Sequence, residues 1–147
     1  EDVRYAYLRH DGEGDEKFVL FSSYWWMPLA QVATEWQVSV EVSDSLHDDW
    51  LQEEEETFRV VKTSEYWYRG WVPLGRDDGG GRVFADLNPA EGGSIGQLVS
   101  KIDGTPPEPK HVLATCMSDY LIHLSSCLER DGLAGLDVCM WNSRPHI

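Results

Sequence analysis

Apolar residues recur at helical spacing near both ends of the chain and at strand spacing in its middle. Val3, Ala6, Tyr7 and His10 fall on one face of a short helix over residues 1–10. Glu1 and Asp2 suit its N-terminal end, and Asp11-Gly12 stops it. Residues 17–21 form a strand candidate, and Tyr24-Trp25-Trp26 continues as strand or loop. Leu29, Val32, Ala33 and Trp36 then follow i, i+3, i+4, i+7, one apolar stripe behind Pro28 at a first helical position. Met27 before it offers no capping oxygen. Residues 57–62 read as a strand in an insertion. After a Pro-rich turn over 103–109, residues 110–114 lead into a last helix over 115–130. Met117, Tyr120, Leu121, Leu124 and Leu128 make its buried stripe, with Thr115 as cap, Arg130 at the C-terminal end and Gly132 as the stop. Residues 133–147 are a tail with one short strand at 137–141.

The middle reads as three short strands joined by two unusual loops. Trp71-Val72-Pro73-Leu74 is the first. Pro73 has no N–H to donate, so this strand belongs at an edge, or Pro73 at a ladder-free position. Residues 82–87 are the second strand, and Gly96-Gln97-Leu98-Val99 begins the third. Between the first two, residues 75–81 exceed the two that a minimal hairpin needs, and Gly79-Gly80-Gly81 permits positive φ or close backbone approach. The second connection stops with Asn88-Pro89 and turns on Gly92-Gly93.

These pieces together resemble the central signature of the SUKH superfamily, whose name-giving members include a fungal cell-wall-assembly regulator. The pattern is carried by Trp71-Val72-Pro73-Leu74, Asp78-Gly79-Gly80-Gly81, Asp86-Leu87-Asn88-Pro89 and Gly92-Gly93 followed by Gly96-Gln97-Leu98. The resemblance extends to Val112-Leu113-Ala114, to residues 2–12 and to residues 29–36. It implies an α+β fold: an antiparallel-rich twisted sheet with helices packed against it. It also implies a helix before the first residue, and the chain begins with Glu1 and no signal-peptide pattern.

At 147 residues the expectation is one SUKH-like domain over 1–147. Acidic side chains number 26 against 12 basic ones, a net −14 that argues against nucleic acid or an anionic membrane as partner. A basic protein is the physical opposite. Cys116, Cys127 and Cys139 are odd in number and lack CxxC spacing, which favours a reducing, cytoplasmic home. No apolar run approaches the ~20 residues of a membrane helix.

The candidate chemistry is thin. Asp77 and Asp78 beside the glycines lack the alternating oxygens of a calcium loop, and a turn built on Asp–amide bonds is the better reading. Asp86 serves a turn before Asn88-Pro89 or lines a groove. The five histidines pair with no cysteine or histidine at metal spacing. Cys116 and His123 stand seven apart on a helix, about 10 Å, too far for a nucleophile and its base. No enzyme activity, metal or cofactor is therefore expected.

Two stretches are candidate partner surfaces. Residues 41–56 hold Glu41, Asp44, Asp48, Asp49, Glu53 and Glu54 with no Lys or Arg, and Trp50 as apolar anchor. This run is an exposed loop or helix, either a solvated face or an electrostatic docking patch. Tyr66 and Tyr68 are the exposed pair opposite Trp67 at the core. The remaining signature residues, Trp71, Pro73, Asp78, Gly79, Gly80, Gly81, Asp86, Pro89, Gly92, Gly93, Gly96 and Gln97, hold the scaffold or line a groove. Many bacterial members of the superfamily look like immunity proteins that neutralise polymorphic or contact-dependent toxins, often nucleases. Others look like regulatory adaptors in signalling or cell-wall complexes. The resemblance thus implies a protein-binding module with a protein partner, a basic toxin domain among the candidates.

Overall fold

The computed structural model describes residues 1–13, 20–21, 24–46, 60–62, 65–101 and 111–133. Its centre is an antiparallel five-stranded sheet in chain order: β1 (Trp25–Trp26), β2 (Trp71–Arg76), β3 (Arg82–Asp86), β4 (Gln97–Lys101) and β5 (His111–Ala114). Among the described residues three helices complete it: α1 (Asp2–Arg9), α2 (Leu29–Ser45) and α3 (Met117–Asp131). The α+β expectation holds.

The central strands are apolar on both sides because both sheet faces are covered. Leu74, Val83, Ala85 and Leu98 meet Met117, Tyr120 and Leu124 of α3, with Val3, Ala6 and Tyr7 of α1 packed alongside. The alternate residues Trp71, Phe84 and Val99 meet Val40 of α2 together with Val61 and Trp67. Each strand therefore feeds two cores in turn. Tyr7 and Tyr120 bury their rings and donate their hydroxyls to the carbonyls of Met27 and Leu20, each at 2.8 Å. Burial pushes both phenols above their ordinary range, and Asp11 adds to this at Tyr7. Because the folded state raises these pKa values above the unfolded value of about 10, their contribution is complete below pH 10 and is lost as pH rises beyond it. Thermal melts followed by circular dichroism should show Tm falling above about pH 10. Tyr120→Phe should weaken that fall while costing about 1 kcal/mol at neutral pH.

Pro73 sits opposite Phe84, just before a bulge between Pro73 and Gly75. β1 pairs with β2 at Gly75 and Arg76, so among the described residues the stretch with Pro73 has one strand neighbour, which suits its missing N–H. Several expectations shift. Gly75 and Arg76 belong to β2, leaving a shorter loop. Gly96 precedes β4 with φ 87°. Residues 111–114 are an edge strand on β4 and do not lead helically into α3. A short run with three apolar residues, Val112-Leu113-Ala114, is ambiguous by pattern alone, and the open edge of β4 decides it.

The helices also depart in detail. His10 is exposed beyond α1. On α2 the inward residues are Val32, Ser39 and Val40, with Trp36 partly covered, whereas Leu29 and Ala33 face solvent. Pro28 is the N-cap of α2, and its missing cap oxygen comes from far away: Asp11 accepts from the Leu29 N–H at 2.6 Å. Cys116, not Thr115, is the N-cap of α3, and its sulfur accepts from the Asp119 N–H. Asp2 adds a carboxylate there, accepting from the Ser118 N–H at 3.0 Å, which ties α1 to the start of α3. Leu121 is at the surface, while Cys127 takes the inward position after Leu124. Gly132 ends the helix at φ 63°, as expected.

Residues 60–62, the described end of the expected 57–62 strand, are turn and coil. The strand candidate at 17–19, the tail strand at 137–141 and the Pro-rich turn lie outside the described residues. Cys116 is a free thiol, and Cys127 is disulfide-bonded. No helix among the described residues is long and apolar enough to cross a membrane.

Candidate interaction surface

The β2–β3 loop is built on Asp77. Its Oδ1 accepts from the N–H groups of Gly79 and Gly81, at 2.9 and 2.7 Å, and its own N–H donates to the Gly81 carbonyl. Gly80 takes φ 91°, which closes the turn. A Cβ on Gly81 would lie 2.7 Å from Asp77 Oδ2 and 2.8 Å from the Tyr24 ring, so glycine is also required there by space. Asp78, the signature acid, is exposed. The turn reading of this loop is right, but its organising carboxylate is Asp77. Asp77→Ala should destabilise the protein by about 1–3 kcal/mol in urea titrations, because two loop amides lose their acceptor. Asp78→Ala should stay within about 0.5 kcal/mol.

The second loop is organised by Asp86 and Gln97, both buried and paired across β3 and β4. Asp86 Oδ1 accepts from the Asn88 N–H at 3.0 Å, and Oδ2 accepts from Gln97 Nε2 at 3.2 Å. Gln97 Nε2 also donates to the Val60 carbonyl at 2.8 Å, and Gln97 Oε1 accepts from the Ser94 N–H. The Val60 carbonyl takes a second bond from the Ala90 N–H. Any Cβ on Gly93 would come within 2.5 Å of that carbonyl and 2.7 Å of Pro89 Cβ. Asp86, Pro89, Gly93 and Gln97 thus clip residues 60–62 onto the sheet, and Val61 drops into the core beside Trp71. Gly92 and Gly96 supply positive φ at either end of the turn. Asp86 is a fully buried turn acceptor.

Trp71 is completely buried and stacks on Phe84 with centroids 4.3 Å apart. Trp67 meets both rings edge-on, at 5.4 Å to Trp71 and 5.3 Å to Phe84. Trp67 is core, as expected. Tyr66 is exposed, with the Lys101 ammonium 3.6 Å from its ring centroid. Tyr68 differs from expectation: it is half-buried, with its ring 4.9 Å from that of Trp71.

The segment bearing these tyrosines runs along the C-terminal half of α2. Ser43 Oγ donates to the Trp67 carbonyl and accepts from the Trp67 N–H. Trp36 Nε1 donates to the Arg69 carbonyl at 3.0 Å, and Arg69 pairs with Asp44 at 2.8 Å. Glu41 and Asp44 are exposed on α2, so the start of the acidic run is helix, and Asp44 meets Arg69 of the segment that carries Tyr66 and Tyr68. Asp48, Asp49, Trp50, Glu53 and Glu54 lie outside the described residues.

Sequence reasoning missed the charge cluster at the other end of the sheet. Arg76 and Arg82 are cross-strand partners on β2 and β3. Glu35 of α2 bridges them, with 2.7 Å to Arg76 and 2.9 Å to Arg82. Two arginines flanking a hairpin loop were the available signal, since facing like charges need a counter-charge. His123 Nε2 lies 3.5 Å from the disulfide-bonded Cys127 sulfur and on α3 is well separated from Cys116. No group of three or more His, Cys, Asp or Glu that could hold a metal occurs among the described residues.

A search of curated proteins finds no match to the chain. A family model described as SMI1 / KNR4 family (SUKH-1) matches residues 1–123, which include the clipped loop, the glycine turn and the Trp71 stack. With that match spanning most of its length, the chain belongs to the SMI1 / KNR4 family (SUKH-1).

Proposed function

We propose that this protein is a non-enzymatic binding module, an immunity protein that neutralises a bacterial polymorphic or contact-dependent toxin by covering it. The observation that carries this reading is how the charge is spent. Net charge is −14. Arg69, Arg76, Arg82 and Arg130 are paired with carboxylates of the chain itself, at Asp44, Glu35 and Asp131. The outward field is therefore negative, which suits a basic partner and speeds its capture. A nuclease domain is such a partner, because its own substrate is polyanionic. Asp77 and Asp86 each accept from backbone amides of their own turns, which supports structural work for both carboxylates. Family membership is compatible with immunity and regulatory roles alike.

Co-expression with the toxin domain encoded beside this gene should rescue growth and give a complex that weakens steeply between low and high salt. A toxin that kills regardless of this protein would overturn the immunity reading. Recovery of a stable complex with a regulator, in a locus without a toxin, would assign the chain to adaptor function instead.

A further inference from the structure

The solvent face of α2 departs from what a solvated helix needs. Leu29, Val38 and Val42 are 55, 50 and 38% exposed. Ala30, Thr34, Val38 and Val42 follow one another at i, i+4, so they form a single ridge of about 18 Å along the helix. The opposite face already supplies the core through Val32, Trp36 and Val40. A helix apolar on two sides has one more buried face than the fold uses. β-Branched Val38 and Val42 also lower helix propensity at positions where Glu or Lys would raise it. Nothing local recommends them.

The charge on this helix has one sign. α2 contains no Lys or Arg, even in its last turn, where the helix dipole favours a cation. Instead the C-terminal half carries exposed Glu41, which accepts from Gln37, beside the ridge. We infer that the outer face of α2 is the docking surface for a basic amphipathic segment of a protein partner. Apolar side chains of that segment cover Val38 and Val42, and its Lys or Arg side chains meet Glu41 and the C-terminal carbonyls of α2. This rests on the binding-module reading above and places its interface.

The test uses the full chain labelled with nitrogen-15 and a defined probe, an 18-residue helical peptide of leucine and lysine in heptad order. Amide shifts should change along Ala30, Thr34, Val38, Glu41 and Val42. The double variant Val38→Glu/Val42→Glu, at exposed positions and verified as folded by circular dichroism, should bind at least tenfold more weakly. A matched peptide with glutamate in place of lysine should not bind. Shifts centred elsewhere, equal binding by the variant, or binding of the acidic peptide would each overturn the proposal. A dimer of the chain itself that the double variant dissolves would assign the ridge to a second copy and overturn it too. If the variant still protects cells against a toxin that the unaltered protein neutralises, the binding module survives and this interface fails.

Discussion

Trp71→Ala should lower the free energy of unfolding by about 3–5 kcal/mol, the largest single effect expected in this protein. Trp71 has no solvent exposure, and its ring closes a cluster of Phe84, Trp67 and Tyr68. Removing it loses the transfer energy of the indole and leaves a cavity between the sheet and α2. The loss also reaches the 60–69 region, because Val61 and Trp67 reach the sheet through the same cluster. Trp71→Phe keeps part of the stack and should cost clearly less. Urea titration monitored by fluorescence and by far-ultraviolet circular dichroism would measure both. A cost below about 1 kcal/mol for the alanine variant would mean that this cluster is not the core of its sheet face.

Glu35→Ala should cost about 2–4 kcal/mol. Its carboxylate is 14% exposed and is shared by two guanidinium groups that face each other across β2 and β3. Without it, Arg76 and Arg82 repel across the ladder, and both already hold a buried Nε without a hydrogen-bond partner. Breaking a buried pair from one side commonly costs about 3–5 kcal/mol, and the partial exposure of both arginines, 32 and 20%, lowers that figure. Glu35→Gln keeps the shape and loses the charge, so it should fall between. Adding Arg76→Ala to Glu35→Ala should recover part of the loss, since one of the two opposed cations is then gone. Equal stability of Glu35→Ala and the unaltered protein in urea titrations at low salt would show that this bridge contributes nothing to holding α2 on the sheet.

These two positions differ in how far they could be read beforehand. Trp71 belongs to a local pattern, a strand opening on an aromatic residue and bounded by glycine turns, which left it between holding the scaffold and lining a groove; the structure buries it completely. Glu35 stands on the same helix as several other polar residues, and only the approach of β2 and β3 separates it from them. The loops show the same contrast. That Gly79-Gly80-Gly81 forms a turn on a neighbouring Asp was legible from composition. Which of two adjacent aspartates does so depends on which carboxylate points back across the loop, and that was not.

The meander β2–β3–β4, its glycine turns and the helical character of α1, α2 and α3 were determined by the chain itself, because each rests on interactions within a few residues: fixed φ at proline, positive φ at glycine, apolar periodicity. Tertiary structure decided the rest. β5 became a strand by completing β4, α2 took its cap from Asp11, and Tyr68 was drawn half under Trp71. Each of those outcomes depends on groups distant in sequence, whose meeting is set by how the two sheet faces are filled and not by any local preference.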